Sequence, residues 1–253
     1  MEELSVAKHY IIMSSSYTDG TRVALDITED SLLNGAAIAE IIQKIRQLCD
    51  KDIPLSTHLI ETDSAEWASV PEYDPFFKGV EPALSVEDFA SRIKKGRLLS
   101  GLDVANYILT KVSCTHLSLE KLVYFAYADY LCSHPGRLFE DRIFAFTHGP
   151  VIESVYQTYK RSGYEYVQPK EDSSVRTSVG EMPARSRILF AMDGAEKLLS
   201  IDKTLKTYGR YTAGELVELT HRPGSPWAHV DSTKSYQVIS DELIREYHFI
   251  ECK

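Results

Sequence analysis

Residues 118–131 of the chain read SLEKLVYFAYADYL and decide how its second half folds. Apolar side chains recur there at steps of three and four residues, which is the period of one face of an α-helix. They are Leu119, Leu122, Val123, Ala126 and Tyr130. The same period predicts helices over residues 101–114, 185–199 and 240–249, and Thr212 with Glu215 predicts a capping box for a helix over residues 215–220. The chain from residue 98 onward is therefore expected to be mainly helical.

The segment between residues 137 and 161 interrupts this helical pattern. Residues 137–146 alternate between polar and apolar types, which favours a short strand or an extended segment. Gly149 can adopt a positive φ. Pro150 is expected at the first position of a helix that runs to about Arg161, because no backbone N–H is needed at that position. The segment 146–151 is thus predicted to be a corner between a strand and a helix.

The first hundred residues mix strand and helix signals. Residues 7–14 and 22–27 are rich in β-forming residues and enclose turn residues, which predicts a hairpin. A helical pattern from Thr28 to about Leu48 follows. Residues 53–60 favour another strand.

A segment rich in proline begins at Val70 and indicates a loop. Aromatic residues in or beside it either cover the edge of a core or form a recognition surface. They are Trp67, Tyr73, Phe76 and Phe77. Ser85 and Asp88 then resemble a capping box, which predicts a helix that ends near Lys95.

Length and charge divide the chain in two. Its 253 residues suffice for one large domain or two small ones, and a hydrophobic share of 43% is normal for a protein with a buried core. Residues 1–97 hold 17 acidic and 10 basic residues, a net charge of −7, whereas residues 98–253 hold 20 and 18, a net charge of −2. We therefore predict an α+β protein, with a mixed α/β acidic domain over residues 1–97 and a mainly α-helical domain over residues 98–253.

Several classes of protein are disfavoured by the composition. No apolar run approaches the roughly 18–20 residues that span a bilayer, and the N-terminus shows no secretory signal. Four cysteines without a CxxC pair do not form a disulfide framework, which favours a reducing compartment. The acid excess disfavours a nucleic-acid partner and permits a basic protein partner. We therefore expect a cytoplasmic protein that does not bind a membrane.

Sequence patterns for catalysis or metal binding are missing. The chain has no GxSxG, no HExxH and no glycine-rich phosphate-binding motif. One residue separates Cys114 from His116, and one separates Cys132 from His134, whereas paired zinc ligands are typically separated by two to four residues. Buried cysteines with a histidine near each helix end are the simpler interpretation. We therefore predict no enzyme, no cofactor and no metal.

Three short turns rich in aromatic residues and histidine remain, over residues 146–151, 208–211 and 219–227. In the last of them, His221 ends a helix, where the helix dipole favours the charged ring. Trp227 follows a Pro-Gly turn as a large apolar side chain. His221 and Trp227 either lock two helices together or form a binding surface.

Five segments in this order resemble the SocA-like antitoxin family, also called the Panacea domain or the GepA-like phage-associated family. The first two are DVANYIL at 103–109 and LEKLVYFA at 119–126. The third combines LFED at 138–141 with IFAFTHGPV at 143–151, and the fourth is VYQTYK at 155–160. The fifth runs from YG at 208–209 through TAGEL and LTH to SPW at 225–227. The resemblance extends from residue 103 to about residue 250, and the GPV and TH…SPW motifs are both intact.

The sequence departs from the family pattern at three positions. Glu120 stands where the family often has Gln, and Phe146 and His148 stand where it often has Trp and Tyr. The replacements are near-isosteric or aromatic, so they put a partner contact rather than the fold in question. Residues 1–97 resemble nothing known in the family.

The resemblance implies a mainly helical domain that acts as an antitoxin. Such a domain binds a protein toxin encoded beside it and suppresses that toxin by contact. Ten positions are implied as motif or partner-binding residues, and they are Lys121, Tyr124, His148, Gly149, Pro150, Tyr156, Tyr159, Thr220, His221 and Trp227. Helical spacing of Tyr124, Tyr127 and Tyr156 favours the core over an interface for these three. Partner choice is expected to lie in the acidic N-terminal domain.

Other functions stay open. A DNA-binding autorepressor of its own operon is disfavoured, because no helix-turn-helix is evident and the basic cluster at residues 94–97 is small. An enzyme in the N-terminal domain, around His9, Asp26, His58 and Glu61, lacks a spacing that supports a mechanism. A phage-encoded inhibitor, or an adaptor acting on a host factor, would bind its partner through the same kinds of contact as an antitoxin.

Overall fold

The computed structural model describes residues 6–16, 21–28, 33–49, 53–170, 180–230, 234 and 236–252. The chain divides into two compact units, Met1–Arg97 and Leu98–Lys253, which we call unit 1 and unit 2. Unit 1 is built around a sheet, and unit 2 is mainly helical. The predicted α+β class is therefore confirmed.

Unit 1 contains a four-stranded sheet with the spatial order β3-β1-β2-β4. Its strands are β1 (Ala7–Ser16), β2 (Thr21–Ile27), β3 (Ser56–Thr62) and β4 (Glu81–Pro82). β1 and β2 pair antiparallel as predicted, with Ile12 opposite Leu25, whereas the predicted turn residues 17–20 lie outside the described part of the chain. β3 pairs antiparallel with the other side of β1. β4 lies parallel to β2. Because successive side chains point to opposite faces, the fully buried run from Ile11 to Met13 requires cover on both faces.

Two helices, α1 (Gly35–Leu48) and α3 (Val86–Gly96), cover one face of this sheet. α1 begins later than the predicted Thr28, because the Asn34 side chain caps the helix by accepting a hydrogen bond from the Ala37 N–H. Residues 29–32 of that prediction lie outside the described part of the chain. α3 begins as predicted, with the Ser85 hydroxyl accepting from the Asp88 N–H.

The other face is covered by the chain between β3 and β4. The predicted loop contains a short helix, α2 (Ser69–Tyr73), and a 3-10 turn over Pro75–Phe77. Val70 and Phe77 are buried against this face, whereas Tyr73 and Phe76 are exposed. The four aromatic residues thus divide, with Phe77 in the core, Trp67 packed against it and partly buried, and Tyr73 and Phe76 at the surface.

Unit 2 is organised around its longest described helix, α5 (His116–Ser133). The helices that surround it are α4 (Gly101–Lys111), α6 (Glu153–Tyr159), α7 (Glu181–Leu189), α8 (Gly194–Tyr208), α9 (Ala213–Thr220) and α10 (Asp241–Tyr247). α5 packs against α4, α8, α9 and α10, and its buried residues include Glu120 and Lys121. A helix buried on nearly all sides has no solvated face, so the apolar period of residues 118–131 marks only part of its buried surface.

A small sheet in unit 2 has the order β6-β5-β7, with β5 (Ile143–Phe146), β6 (Gly149–Ile152) and β7 (Gln237–Val238). Pro150 lies within β6, opposite Ala145, and α6 begins only at Glu153. The prediction that Pro150 opens a helix is therefore wrong. β6 is an edge strand, where a residue without an N–H is tolerated.

The single helix predicted over residues 185–199 is in fact two helices, α7 and α8. Asp193 has a φ of +54°, a left-handed conformation that no α-helix can continue through. Gly194 packs so closely that a β-carbon there would lie 2.3 Å from the Ile188 carbonyl oxygen. The chain therefore turns at Asp193–Gly194 before α8 begins.

Helix ends in unit 2 are defined by side-chain caps. α9 begins with the predicted capping box, in which the Thr212 hydroxyl accepts from the Glu215 N–H and the Glu215 carboxylate accepts from the Thr212 N–H. Ser240 caps α10. In the described part of the chain, no helix is long and apolar enough to cross a membrane.

Candidate functional site

The hairpin of β5 and β6 ends in a two-residue turn, Thr147–His148, and both of these residues are exposed. Phe146 and Gly149 pair at the base of the turn. Gly149 has a φ of +99°, the positive value that the sequence indicated. We call Phe146–Gly149 and the side chains around it the turn site.

The last family motif holds one side of the turn site. Trp227 donates its indole N–H to the Phe146 carbonyl at 2.8 Å, and His221 Nε2 lies 3.3 Å from the Thr147 carbonyl oxygen. The His221 and Trp227 rings contact each other, with centroids 3.8 Å apart. Thr220 packs closely against Gly149, so that a β-carbon on this glycine would lie 2.7 Å from the Thr220 hydroxyl. The two motifs that carried the family resemblance thus meet in one place.

Two adjacent charged residues of α5 hold the hairpin from within. The fully buried Lys121 donates to the Pro150 carbonyl at 2.6 Å. Glu120 accepts from the Ile152 N–H at 2.8 Å and lies 3.1 Å from His116 Nε2. Burial lowers the pKa of Lys121 to about 8 and raises that of Glu120. Both groups bind strand β6, so their removal would leave its backbone groups unpaired.

Aromatic rings form a rim beside the turn. The Phe146 ring lies 5.1 Å from that of Tyr156 and 5.7 Å from that of Tyr236, centroid to centroid. Phe146 and Tyr156 are half-buried, whereas Tyr236 is 59% exposed. Tyr236 also has a φ of +59°, which is rare for a bulky residue. The rim therefore presents partly exposed aromatic surface next to the exposed turn.

The ten motif positions are distributed unevenly. Six of them meet at the turn site, and they are Lys121, Gly149, Pro150, Thr220, His221 and Trp227. His148 lies at its exposed tip, and Tyr156 belongs to the aromatic rim. Tyr124 and Tyr159 are buried away from it, where their hydroxyls donate to the Glu251 carboxylate and the Gln168 carbonyl. His221 and Trp227 both lock the fold and border the surface, so the two interpretations of this pair are compatible.

Tyr236 was not identified from the sequence. It lies outside the five family segments, and its neighbour in space, Phe146, is 90 residues away in the chain. Glu120 appeared only as a departure from the family pattern, although it binds the same strand as Lys121. A signal for Glu120 did exist, because a charged residue within an otherwise apolar helical stretch needs a partner if it is buried.

The cysteine–histidine pairs that the sequence suggested as zinc ligands are buried or make other side-chain contacts. Cys114 is buried, which raises the pKa of its thiol to about 12. His116 faces Glu120, and the His134 ring stacks on Tyr130 with centroids 4.2 Å apart. His116 and His134 thus each contact a residue other than the neighbouring cysteine.

The residues considered for an enzyme in unit 1 lie partly inside its core. His9 is fully buried, with Nδ1 2.8 Å from the Asp26 carboxylate and Nε2 3.0 Å from the Thr62 hydroxyl. Burial raises the pKa of Asp26. The His58 ring packs against Phe77, with centroids 5.3 Å apart, and Glu61 is exposed. The His9–Asp26 pair thus ties β1 to β2 and β3 from within.

A cleft of about 600 Å³ opens beside the end of β3. Its acidic lining residues are Glu61, Asp63 and Glu72, all exposed, and Tyr73 beside them is 70% exposed. We call this feature the acidic cleft. It concentrates part of the negative charge of unit 1 at one place.

Much of the helical unit, including its turn site, is similar to a known class of domain. Residues 119–228 match the family described as "Antitoxin SocA-like, Panacea domain". This range runs from α5 to the Trp227 segment and includes the whole core of the turn site. Residues 119–228 of unit 2 are therefore similar to the SocA-like Panacea domain, and the resemblance inferred from the sequence is confirmed.

One curated relative is the Antitoxin SocA of Caulobacter vibrioides (strain NA1000 / CB15N). It is 29% identical over 132 residues, which cover 49% of this chain and 66% of the relative. The chain thus spans just under two thirds of the length of the relative it matches. No solved structure matches the chain.

Proposed function

We propose that this protein is an antitoxin that binds a protein toxin encoded by an adjacent gene and neutralises it by contact over the turn site. The family match of residues 119–228 carries the proposal, because that range contains the residues that build the turn site. Membership in an antitoxin family favours a binding role over an enzymatic one.

The turn site has the properties of a protein-binding surface. Thr147 and His148 are exposed, and the aromatic rim beside them presents partly exposed rings. Aromatic residues are enriched among the side chains that dominate binding energy. Tyr236 keeps an unfavourable backbone conformation at this surface, a feature typical of functional positions.

The surface is also held rigidly from behind. Trp227 and Lys121 donate hydrogen bonds to the carbonyls of Phe146 and Pro150, on either side of the turn. A surface that is ordered before binding loses less conformational entropy on association. The buried motif residues thus act on the partner indirectly, by fixing the turn and the rim.

Unit 1 supplies a second part of the proposal. Its acidic cleft would attract a partner with a basic surface, and complementary charge speeds association and adds specificity. We infer that unit 1 contributes to the choice of toxin, while the turn site makes the contact that the family shares.

Co-expression tests the proposal. The product of the adjacent gene should arrest growth when it is expressed alone, and this chain should restore growth. His148→Ala combined with Tyr236→Ala should weaken the rescue, because both side chains are exposed at the turn site. Tyr164→Ala is the matched control, since Tyr164 is 96% exposed in unit 2 outside the turn site. A harmless neighbouring gene product, or full rescue by the double variant, would contradict the proposal.

A further inference from the structure

A second cluster of polar side chains in unit 2 surrounds the histidine that follows α10. His248 is buried in a 3-10 turn, His248–Ile250, with Nδ1 2.8 Å from a Glu251 carboxylate oxygen. Its Nε2 lies 3.0 Å from an Asp129 carboxylate oxygen on α5. The thiol of Cys252 belongs to the same group, and the donor atoms of Asp129, His248 and Cys252 all lie within 4.8 Å of one another.

Chemically, these three side chains form a zinc-binding set. Zn²⁺ takes imidazole nitrogen, thiolate sulfur and carboxylate oxygen, usually at four positions of a tetrahedron. Ligands at the usual bond lengths of a zinc ion lie roughly 3.5 Å apart. His248 Nε2 and the Asp129 oxygen are 3.0 Å apart, and all three donor atoms lie within 4.8 Å, so small side-chain shifts would bring them to that separation. Three residues separate His248 from Cys252, a spacing found for paired zinc ligands, whereas the pairs considered from the sequence had one.

Hydrogen bonds already orient two of the three ligands. The Glu251 carboxylate faces the far nitrogen of the His248 ring, and Tyr124 in turn donates to Glu251 at 2.9 Å. Thr204 donates to the other Asp129 oxygen at 2.6 Å. A carboxylate behind a ligating histidine is the usual arrangement around protein-bound zinc, and it fixes which nitrogen binds the metal. Glu251 is fully buried, so this support is built into the core.

Access and charge also fit a cation. Cys252 is exposed and Asp129 is half-buried, so an ion can reach the cluster from solvent. His248 is the buried member of the cluster. Two carboxylates, Asp129 and Glu251, face a single imidazole ring. Zinc would replace one proton on Nε2 and one on the thiol, so the net charge of the cluster would not change.

We propose that unit 2 binds one Zn²⁺ ion through Asp129, His248 and Cys252, with Glu251 as the hydrogen-bonded support of His248 and a water molecule at the fourth position. The ion joins the C-terminal segment to α5. Because metal binding to the folded state adds to stability, it holds the end of the chain in place. The site is separate in sequence from the turn site, and its existence does not depend on the antitoxin function.

Zinc binding to the whole 253-residue chain, without an affinity tag, is the test. After treatment with a chelator, the protein should take up one equivalent of Zn²⁺ in competition with a chromophoric chelator. Co²⁺ in place of Zn²⁺ should give the charge-transfer absorption of a thiolate ligand. Cys252→Ser should weaken Zn²⁺ binding at least about tenfold and abolish that absorption, and Glu251→Gln should weaken binding about 10- to 100-fold.

The control is Cys49→Ser, which removes a cysteine of unit 1 and should leave binding and the Co²⁺ spectrum unchanged. Zn²⁺ should also raise the melting temperature of the wild type but not that of Cys252→Ser, a variant at an exposed position near the chain end. The proposal is overturned if the wild type takes up no zinc, if its Co²⁺ spectrum lacks the thiolate absorption, or if Cys252→Ser binds Zn²⁺ as tightly as the wild type.

Discussion

At the scale of single residues, Gly149 limits what the turn site tolerates. Its positive φ favours glycine, and a β-carbon there would lie 2.7 Å from the Thr220 hydroxyl and 3.0 Å from Lys121 Cε. Thr220 and Lys121 are both fully buried, so neither side chain can move away freely. Gly149 therefore lets the hairpin approach α5 and α9 closely.

We expect Gly149→Ala to destabilise unit 2 by about 1–3 kcal/mol, because it adds backbone strain and a steric clash. Trp227 fluorescence during urea unfolding, in a Trp67→Phe background, reports unit 2 alone. Gly136→Ala is the control, since Gly136 has open space around it and no positive φ. Equal urea midpoints for the two alanine variants would show that the close approach of Gly149 does not affect the stability of unit 2.

Lys121 makes the stability of unit 2 depend on pH. Burial lowers its pKa from 10.5 to about 8, although Glu120 and Glu251 partly oppose this shift. Between these two pKa values, the unfolded chain binds more protons than the folded protein. The free energy of unfolding must then rise with pH over this range, by at most about 1.4 kcal/mol per pH unit for this group.

Lys121→Met should remove this contribution while keeping an unbranched side chain of similar length. We expect the stability of the wild type to rise more steeply between about pH 8 and pH 9.5 than that of the variant. Urea unfolding followed by Trp227 fluorescence at both pH values measures the difference, and other titrating groups contribute equally to both proteins. Parallel pH dependences would mean that Lys121 keeps an ordinary pKa in the folded protein.

At the scale of elements, α9 positions the residues that hold the turn. It is eight residues long and ends at Thr220, next to His221. Short helices depend on their caps, and both capping-box hydrogen bonds are present at Thr212 and Glu215. The cap at Thr212 thus helps to hold Thr220 and His221 in place at the turn site, although Thr212 lies at the opposite end of the helix.

Thr212→Ala should weaken α9 by about 1 kcal/mol, and Thr212→Ser should preserve it, because serine also accepts the capping hydrogen bond. Native-state hydrogen exchange of the α9 amides is the measurement, since it reports local opening. In the alanine variant, the amides of α9 should exchange faster, whereas exchange in α4 should change little. Slow exchange in both variants would show that packing against α5, not the cap, holds the helix.

Sequence patterns predicted those elements whose signal is local. The apolar period of residues 118–131 led to α5, and side-chain caps correctly placed the starts of α3 and α9. Six of the ten motif positions meet at the turn site, although only the resemblance to the family connected them. Their convergence depends on α5 packing against β6 and α9, which no short-range pattern encodes.

Other features arise from contacts between distant residues and could not be predicted. Pro150 is in a strand because β5 pairs with it, and Lys121 binds its carbonyl from 29 residues away. The break at Asp193 is an exception, because Asp193–Gly194 is a dipeptide that marks turns, and the apolar period of residues 185–199 concealed it. Asp129 and His248 meet across 119 residues, so the proposed zinc site has no continuous motif.

At the scale of the whole molecule, charge distinguishes the two units. Unit 1 has a net charge of −7 and unit 2 of −2, so most of the acid excess lies outside unit 2. If unit 1 guides the partner, charge there should act mainly on the rate of association, and salt should screen the effect. Contacts at the turn site should instead act mainly on the rate of dissociation.

Glu72→Lys, in the acidic cleft, should lower the association rate constant roughly threefold at low salt, because a nearby charge contributes on the order of 0.5–1 kcal/mol in water. Stopped-flow mixing with the toxin at several salt concentrations measures this. Glu40→Lys makes the same change of charge on α1, outside the cleft, and should have a smaller effect. Equal effects would assign the attraction to net charge rather than to the cleft.

A direct binding measurement tests whether the turn site contacts a toxin. Calorimetric titration of the purified chain with the purified product of the adjacent gene should give a stoichiometric complex. His148→Ala with Tyr236→Ala should weaken it about tenfold or more, which corresponds to about 1.4 kcal/mol, and Tyr164→Ala should not. Absence of binding between the two proteins, or binding of the double variant as tight as that of the wild type, would contradict a toxin contact at the turn site.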